Sequence, residues 1–434
     1  MPAAHSSDLA AALAPGLLER FERYCRIDTQ AARTRTQSPS TPGQLELGRL
    51  LVAELQEAGV TDALLDDNGY VVATLPATIP EPAPVVGLIA HVDTSPDAPG
   101  AGVQPLVHRD YDGTTIVLPR NGTVLDPTDM PALAAKTGHD LVTSSGDTLL
   151  GADDKAGVAE IMTAVAHLAA RPELPRPTLR ICFTPDEEIG EGATLFDVPR
   201  FGAFCAYTMD GSEVGELQDE TFTAAAVTLT ITGVDIHPGF AKGKLVNAAR
   251  LAARVVAALP QDRLTPETTD GRDGFIHIYE ISGDAQRTTI AAIVRDFDDD
   301  LLDQHVTLLR DTAQEIVGAE PRARLEIGVQ AQYPNMRSHL EPFPQVTEAV
   351  ARAIRAEGLE PRRTVIRGGT DGSRLSAMGL PTPNVFTGGH EFHSVREWAS
   401  LHDMATAAAT IVRLAAAWTE PDLRAAATAG AQAA

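Results

Sequence analysis

Five short motifs spread along the 434-residue chain each carry a side chain that can bind a metal ion, and together they constrain the fold more than any other feature. The motifs are Ala90-His91-Val92-Asp93, Gly151-Ala152-Asp153-Asp154-Lys155, Pro185-Asp186-Glu187-Glu188, Met209-Asp210-Gly211 and His390-Glu391-Phe392-His393. Two divalent cations about 3.5–4 Å apart need one carboxylate between them and further ligands on each side. One ligand per motif gives two imidazoles and three carboxylates, a mixture that suits zinc. The fold must therefore bring distant parts of the chain together.

Each motif also has a purely structural explanation when it is taken alone. Asp153 opens a predicted helix, where aspartate is a favoured N-cap residue. The acids Glu187 and Glu188 are compatible with a solvated loop in a chain this acidic. The last motif offers both His390 and His393, and spacing alone does not choose between them. The set of five is what favours a two-metal site.

Two carboxylates next to the candidate ligands are not needed as ligands themselves. Asp93 lies two residues after His91, where it can accept a hydrogen bond from the second imidazole nitrogen and fix the tautomer. With Glu188 as the ligand, Glu187 remains available to take a proton from water. This surplus of acids is what a hydrolase requires.

Composition excludes several other classes of protein. The formal net charge of −24 argues against nucleic acid or an anionic membrane as the main partner, since either needs a basic face. No apolar stretch approaches the roughly 20 residues of a membrane-spanning helix, and the N-terminus lacks the pattern of a signal peptide. The three cysteines form no CxxC pair, which predicts neither disulfides nor thiolate metal sites. These features predict a cytoplasmic protein.

The order of predicted elements indicates an α/β domain interrupted by an inserted domain. Continuously apolar runs that end in polar motifs, such as residues 85–90 before His91, are typical of buried parallel strands. The pattern changes near residue 222 to a β-α-β-β-α-β order, typical of an α+β, ferredoxin-like unit. We therefore expect a discontinuous catalytic domain, residues 1–220 and 341–434, and an inserted domain, residues 221–340.

Beyond the five sites, the chain resembles the M20 family of dinuclear zinc peptidases from about Leu18 to Ala415. The segments that carry the resemblance are residues 90–97 (AHVDTSPD), 149–162 (LLGADDKAGVAEIM), 183–190 (FTPDEEIG), 207–211 (YTMDG), 237–239 (HPG), 246–248 (VNA), 293–298 (IVRDFD) and 367–372 (RGGTDG). Single pieces are weak evidence, but the ordered set is highly specific. The segment through about Pro15 has no counterpart in the family.

The resemblance implies a role for each site residue. The fold is expected to be that of a phosphorylase/hydrolase-like zinc peptidase with an inserted lid and dimerisation domain. The metal ligands implied are His91, Asp153, Glu188, Asp210 and His393, with Asp153 as the bridge between two zinc ions. The catalytic residues implied are Asp93, which orients His91, Glu187, the general base, and His237, which stabilises the tetrahedral oxyanion. The Asp153–Asp154 peptide is expected to be cis.

Three further residues are candidates for substrate binding by the same resemblance. Arg295 matches a lid arginine suited to a two-pronged contact with a peptide carboxylate. Its structural alternative is an ion pair with Asp296 or Asp298. Asn335 and Arg367 are weaker candidates.

The function implied is that of a dinuclear zinc aminopeptidase that releases the N-terminal residue from tripeptides. Cobalt or manganese would also suit the ligand set. The alternatives are an M20-type dipeptidase, an N-acyl amino acid deacylase, a two-metal phosphatase and a non-catalytic peptide-binding protein. The expected partners are small peptides, with neither nucleic acid nor membrane, and a second copy of the chain in a homodimer through the inserted domain.

Overall fold

The computed structural model describes residues 4–433. Its helices are α1 (Asp8–Cys25), α2 (Pro42–Glu57), α3 (Pro131–Ala134), α4 (Ala152–Ala169), α5 (Val198–Phe201), α6 (Ala248–Ala258), α7 (Asp299–Gly318), α8 (Arg337–Leu340), α9 (Pro344–Ala356), α10 (Asp371–Ala377), α11 (Leu401–Ala417) and α12 (Pro421–Ala433). Its strands are β1 (Leu64–Leu65), β2 (Val71–Leu75), β3 (Val86–His91), β4 (Leu106–His108), β5 (Ile116–Val117), β6 (Val124–Leu125), β7 (Leu141–Thr143), β8 (Leu179–Thr184), β9 (Cys205–Gly211), β10 (Glu216–Thr221), β11 (Thr223–Thr232), β12 (Phe275–Gly283), β13 (Arg287–Asp296), β14 (Arg324–Tyr333), β15 (Arg362–Ile366), β16 (Asn384–Phe386), β17 (Gly389–His390) and β18 (Trp398–Ser400).

The chain divides into two compact units. Unit 1 consists of Met1–Asp219, Ser338–Thr364 and Thr370–Ala434. Unit 2 consists of Glu220–Arg337 and the short segment Val365–Gly369. Each unit has its own hydrophobic core.

Unit 1 is organised around an eight-stranded sheet with the order β1-β2-β8-β3-β9-β16-β10-β15. Strand β3 runs parallel to its neighbours β8 and β9. All six residues of β3 are buried, as its continuously apolar sequence predicts for a central parallel strand. Because these strands are parallel, their carboxyl ends lie at one edge, where sites form in α/β sheets.

Two alanine-rich helices of unit 1 are apolar on most of their surface. In α4 and α11, nearly every residue is buried, and the two helices pack on each other. A helix that is apolar all round needs neighbours on all sides, and α11 is also packed against α1 and α9. The core of unit 1 therefore extends directly beneath α4, which begins at Ala152, next to Asp153.

Helix α1 begins earlier than the sequence pattern suggested. Residues 16–27 carry apolar side chains at helical spacing, which predicts a helix over this range. Helix α1 instead begins at Asp8, and the Ser7 hydroxyl accepts a hydrogen bond from the Ala10 amide as an N-cap. The helix continues through Pro15, whose ring removes one backbone donor. The buried face that runs from Ala10 to Tyr24 stabilises the helix in spite of this loss.

Residues 96–149, between β3 and α4, are rich in Pro, Gly and Asp, which indicates turns and a small hairpin. Strands β5 and β6 form that hairpin. Strands β4 and β7 also join β17 and β18 in a second four-stranded sheet, with the order β17-β18-β7-β4. This sheet fixes the base of the loop that carries His393.

Unit 2 has the predicted β-α-β-β-α-β order, formed by β11, α6, β12, β13, α7 and β14. Its strands form an antiparallel sheet with the order β12-β13-β11-β14, which is the ferredoxin-like arrangement. Alternate residues of β11 and β13 are buried against α6 and α7. The α/β fold class with an α+β insert is thereby confirmed.

Two smaller predictions concern the cysteines and the membrane. Cys25, Cys182 and Cys205 are free and buried, and Cys182 lies in β8. In residues 4–433, no helix combines the length and apolar character needed to cross a bilayer.

Candidate active site

The five predicted metal ligands converge at the carboxyl edge of the large sheet in unit 1. His91 is the last residue of β3, and Asp210 is the next-to-last residue of β9. Glu188 lies in a 3-10 turn that follows β8. Asp153 is the second residue of α4, and His393 lies in the loop between β17 and β18. The sheet topology thus assembles ligands that are far apart in sequence.

Asp153 lies between two groups of candidate ligands. Its Oδ1 is 2.9 Å from His91 Nε2, which is 3.8 Å from Asp210 Oδ1. Its Oδ2 is 3.2 Å from His393 Nε2, which is 3.0 Å from Glu188 Oε2. Each oxygen of one carboxylate therefore faces its own histidine and its own second acid. This is the arrangement expected of a carboxylate that bridges two cations.

The imidazole of His91 is held so that Nε2 is free to bind a metal ion. Its Nδ1 lies 3.0 Å from the Asp93 carbonyl oxygen and 3.4 Å from the Asp93 carboxylate. Both neighbours are acceptors, so Nδ1 carries the proton. The same carboxylate accepts hydrogen bonds from the amides of Glu187 and Glu188. Asp93 therefore orients His91 and also positions the acidic turn.

The start of α4 contains the predicted cis peptide between Asp153 and Asp154. Asp154 Oδ2 accepts a hydrogen bond from the His91 amide at 3.1 Å, a contact that the sequence analysis did not foresee. The buried Glu397 carboxylate accepts hydrogen bonds from the amides of Leu150, Gly151 and Asp153. The backbone on both sides of the Asp153 side chain is therefore fixed by acidic side chains.

Electrostatics in this cluster reflect many acids in little space. Burial, together with the nearby Asp153 charge, raises the pKa of Glu188 to about 7. Burial also raises the pKa values of Glu187 and Asp210 well above their ordinary range. Burial would lower the pKa of His393, but hydrogen bonds to Asp153 and Glu188 raise it to about 11. Without further positive charge, the acids compete for protons.

The donor set fits a pair of divalent cations. Two such cations would supply the positive charge that lets these acids remain ionised. Glu188 Oε1 is buried and has no hydrogen-bond partner among the described residues, as expected of an atom reserved for a metal ion. Two of the ligand combinations compatible with a metal ion are His91 with Asp153 and Glu188, and His91 with Asp154 and Asp210.

Asp371 is a buried acid at the site that sequence reasoning missed. It is 3% exposed, and its Oδ2 accepts a hydrogen bond of 2.7 Å from the Thr184 hydroxyl, three residues before Glu187. Burial raises its pKa to about 6. A side chain at Gly192 would overlap the Asp371 carboxylate, so glycine is required there. The RGGTDG segment (residues 367–372) pointed to this region, but Arg367 was selected instead.

His390, the rival of His393, belongs to a different buried cluster. Its ring stacks on Trp398 with centroids 4.2 Å apart. Its Nε2 lies 3.8 Å from Glu213, whose carboxylate is paired with the ammonium of Lys136 at 2.6 Å. Lys136 also pairs with Asp403 at 2.7 Å. Lysine already supplies the cation in this cluster, so His390 has a packing role.

The remaining predicted site residues lie in unit 2, and His237 is the first of them. His237 is exposed, and its Nδ1 accepts a hydrogen bond of 3.1 Å from the Gly239 amide. The proton of the neutral ring therefore resides on Nε2, which is available as a donor. An Nε2–H donor is what stabilisation of an oxyanion needs.

Arg295 does not form an ion pair with Asp296 or Asp298, which was the alternative to a role in substrate binding. Asp296 is paired with His305 at 2.9 Å, and Asp298 caps α7 by accepting from the Leu301 amide. The Arg295 guanidinium donates to the Arg367 carbonyl at 3.3 Å, and its Nε has no hydrogen-bond partner among the described residues. Arg295 is therefore paired with neither of these aspartates.

Asn335 and Arg367 are engaged in holding loops of unit 2. The Asn335 amide donates to the Phe297 carbonyl, and its oxygen accepts from the amides of Thr221 and Arg337. Arg367 donates to main-chain oxygens of Thr269, Gly271 and Asp273 and lies over the rings of Phe222 and Phe275. Both side chains therefore have structural contacts inside unit 2, and their part in substrate binding stays a prediction.

Comparison with known proteins identifies the class. The profile of peptidase family M20/M25/M40 matches residues 150–417, and the chain belongs to this family. It is therefore a peptide hydrolase by family, as predicted.

Comparison with individual relatives is more specific than the match to the family profile. The chain is 46% identical to "Peptidase T" of Bacillus subtilis over 400 residues, which cover 92% of this chain and 97% of the relative. It is 45% identical to "Peptidase T" of Aliivibrio salmonicida over 399 residues, with the same coverage. The structure of aminopeptidase PepT from Bacillus cereus shares the fold, with a TM-score of 0.73, 23% identity and coverage of 94% and 99%. A tripeptidase from Staphylococcus aureus gives a TM-score of 0.75 at 20% identity, with the same coverage.

Proposed function

We propose that this protein is a two-metal aminopeptidase that releases the N-terminal residue from tripeptides. The observation that carries the proposal is the position of Asp153, each of whose oxygens faces a separate histidine and a separate acid. The relatives named peptidase T, at about 45% identity over nearly the whole chain, support the substrate class.

The proposed ligands form two sets that share Asp153. One set is His91 and Asp210, and the other is His393 and Glu188, by the contacts that each Asp153 oxygen makes. Mixed imidazole and carboxylate ligands suit zinc, and cobalt or manganese would also bind. When bound, two such ions supply Lewis-acid activation of water and of the peptide carbonyl oxygen.

The chain's own residues perform the proton transfer and the positioning. Glu187 is adjacent to a ligand without being part of either ligand set, and its backbone is held by Asp93 at 3.0 Å. We assign it the general-base role, in which it takes a proton from the attacking water and returns it to the departing amine. Asp93 keeps the His91 proton on Nδ1 and so presents Nε2 to the metal.

The roles of His237 and Arg295 rest on the family resemblance and on their contacts inside unit 2. His237 has an Nε2–H donor for the oxyanion of the tetrahedral intermediate. Arg295, whose buried Nε has no hydrogen-bond partner among the described residues, would bind the C-terminal carboxylate of the substrate. Recognition of this carboxylate would make cleavage depend on the length of the peptide. The same resemblance assigns unit 2 the roles of lid and dimerisation domain, and the composition favours the cytoplasm.

The test is a panel of substrates for the chelated enzyme after zinc is restored. The panel contains Ala-Ala-Ala, Ala-Ala, Ala-Ala-Ala-Ala, N-acetyl-Ala-Ala-Ala and N-acetyl-Ala. We expect zinc-dependent release of the N-terminal alanine from Ala-Ala-Ala alone. Preference for an acetylated substrate would contradict the aminopeptidase assignment and favour a deacylase, whereas cleavage of Ala-Ala alone would favour a dipeptidase.

A further inference from the structure

Glu397 is a buried carboxylate at the site that is neither a proposed ligand nor a proposed base. It is 1% exposed. Its Oε2 accepts hydrogen bonds from the amides of Leu150 and Gly151, both at 2.7 Å, and its Oε1 accepts from the amide of Asp153 at 3.0 Å. Both oxygens are therefore directed at main-chain donors of the loop that carries the central carboxylate.

The location of these donors explains why a carboxylate is needed. The first amides of a helix have no partner within the helix, and negative charge at this end is favoured by the helix dipole. Helix α4 has Gly151 as its N-cap residue, at a φ of 83°, and glycine has no side chain with which to cap. Glu397 supplies this cap from a distant part of the chain.

Glu397 also closes the loop that carries His393. His390 in β17 pairs with Trp398 in β18, so residues 391–397 form a loop on this pair with Glu397 at its end. His393 has a φ of 59°, a left-handed conformation that is strained for a non-glycine residue unless its surroundings impose it. The His393 side chain is 41% exposed, so burial does little to fix it.

We propose that Glu397 is a positioning residue that couples the two ligand-bearing segments, and that metal affinity depends on it although it is not a ligand. One end of the coupling is the Asp153 backbone, and the other is the His393 loop. The quantity that the coupling sets is the separation of Asp153 Oδ2 and His393 Nε2, which is 3.2 Å. This inference rests on the two-metal site of the proposed function.

The substitution Glu397→Gln keeps the size of the side chain but removes its charge and one of its two acceptor oxygens. At least one of the three amides is then left facing an amide nitrogen. Loss of an outer partner of a metal ligand typically weakens metal binding about 10–100-fold. Because Asp153 belongs to both proposed ligand sets, we expect both metal ions to bind more weakly, by a factor in this range.

Glu391→Gln is the matched control. Glu391 lies in the same loop, and its carboxylate is 39% exposed and paired only with Arg396 at 3.4 Å among the described ion pairs. The charge change is identical and the loop is the same. We expect this variant to bind metal with the affinity of the wild-type protein.

The experiment titrates the chelated, full-length wild-type protein and both variants with Zn²⁺ in competition with a chromophoric chelator. Co²⁺ loading, followed by visible absorption, reports the ligand geometry, and the melting temperature of each metal-free protein reports folding. The proposal predicts weaker binding and an altered Co²⁺ spectrum for Glu397→Gln alone. If Glu397→Gln does not fold, Glu397→Asp replaces it in the titration. Glu397→Asp keeps the charge but shortens the reach of the carboxylate, and we expect it to bind Zn²⁺ more weakly than the wild type, by a smaller factor than the one expected for Glu397→Gln.

Two outcomes would overturn the inference, and they are distinguishable. A Glu397→Gln protein that melts at a lower temperature but binds Zn²⁺ as tightly as the wild type would show a purely structural residue. A wild-type protein that binds fewer than two metal ions would contradict the proposed function itself, and the inference with it.

Discussion

Among single residues, Asp153 shows how chain geometry gives a carboxylate its role. Asp153 and Asp154 are adjacent and chemically identical, yet the Asp153 carboxylate faces the rings of His91 and His393. The Asp154 carboxylate instead accepts hydrogen bonds from the backbone amides of His91 and Gly157. Burial raises the pKa of Asp154 well above its ordinary range, but hydrogen bonds to the two histidines hold that of Asp153 below it. Asp153 is therefore a proposed metal ligand, whereas its neighbour Asp154 holds backbone amides of the site in place.

The first prediction concerns the proposed base. Glu187→Gln should lower kcat by at least about 10²-fold, because the amide cannot accept the proton of the attacking water. Zn²⁺ should still bind with a stoichiometry close to that of the wild type, since Glu187 is not a proposed ligand. Steady-state cleavage of Ala-Ala-Ala and metal analysis of the same sample measure the two quantities.

Glu191→Gln serves as the control for this variant. Glu191 lies in the segment that follows the acidic turn, is paired with Arg35 at 2.9 Å and is 38% exposed. Its kcat should match that of the wild type. An unchanged kcat for Glu187→Gln would remove the general-base assignment.

The sequence identifies most of this site because each proposed ligand sits in a motif at a strand or helix end. It does not choose between His390 and His393, because the stacking of His390 on Trp398 is a tertiary contact. The resemblance suggests Asn335 and Arg367 as substrate-binding residues, and this stays a prediction, although both side chains also contact main-chain groups. The buried Asp371 was not among the predicted site residues. Motifs show where polar groups cluster along the chain. They do not show which of these side chains are engaged in hydrogen bonds with main-chain groups.

At the level of elements, the close approach of α4 to β9 determines how the site is assembled. Gly157 in α4 faces the Met209 carbonyl oxygen of β9, one residue before Asp210, and a Cβ at this position would overlap that oxygen. Backbone oxygen atoms in a paired strand have little freedom to move. Glycine is therefore required for the helix that carries Asp153 to approach the strand that carries Asp210.

Gly157→Ala should lower the free energy of unfolding by about 1–3 kcal/mol, the usual range for overpacking a core. Gly16→Ala is the matched control, since Gly16 lies in α1 and a Cβ there would meet only the Arg20 guanidinium at 3.5 Å. The control should be neutral or stabilising by up to about 1 kcal/mol, as expected for alanine in a helix. Urea unfolding measures both, and equal effects would contradict the packing argument.

A second prediction at the level of elements concerns the buried side chain of Lys136. Lys136 is 5% exposed at its side chain and pairs with Glu213 and Asp403, so Lys136→Met leaves two carboxylates without their cation. Breaking a buried ion pair in this way costs about 3–5 kcal/mol. Lys242→Met, at an exposed lysine, should have almost no effect on urea unfolding. A similar stability for both variants would show that the cluster contributes little.

The sequence also predicts most elements, because apolar runs and helical spacing are strong local signals. The start of α1 is an exception, since Pro15 suggests a helix boundary, whereas the buried face from Ala10 onward overrides that signal. The sheet that holds the His393 loop was not predicted either. Its strands are two or three residues long and come from distant segments, so no local pattern reveals their pairing.

For the whole molecule, the division into two units predicts which parts of the chain are stabilised by metal binding. All five proposed ligands belong to unit 1, and unit 2 has its own core of β11, β13, α6 and α7 residues. A ligand that binds only the folded state stabilises it by about 2.7 kcal/mol at 100 times its Kd. Hydrogen exchange followed by mass spectrometry should show slower exchange in α4 and β9 on addition of Zn²⁺, with α6 and α7 unchanged. Protection confined to unit 2 would contradict the site.

In the proposed mechanism, two metal ions held about Asp153 enable the chain to remove the first residue of a tripeptide. The most direct measurement is a titration of the chelated protein with Zn²⁺ while release of alanine from Ala-Ala-Ala is followed. The two-metal mechanism predicts no release without metal and a rate that rises to a plateau at two equivalents of Zn²⁺ per chain. Full activity after chelation, or two bound metal ions without any release of alanine, would contradict it.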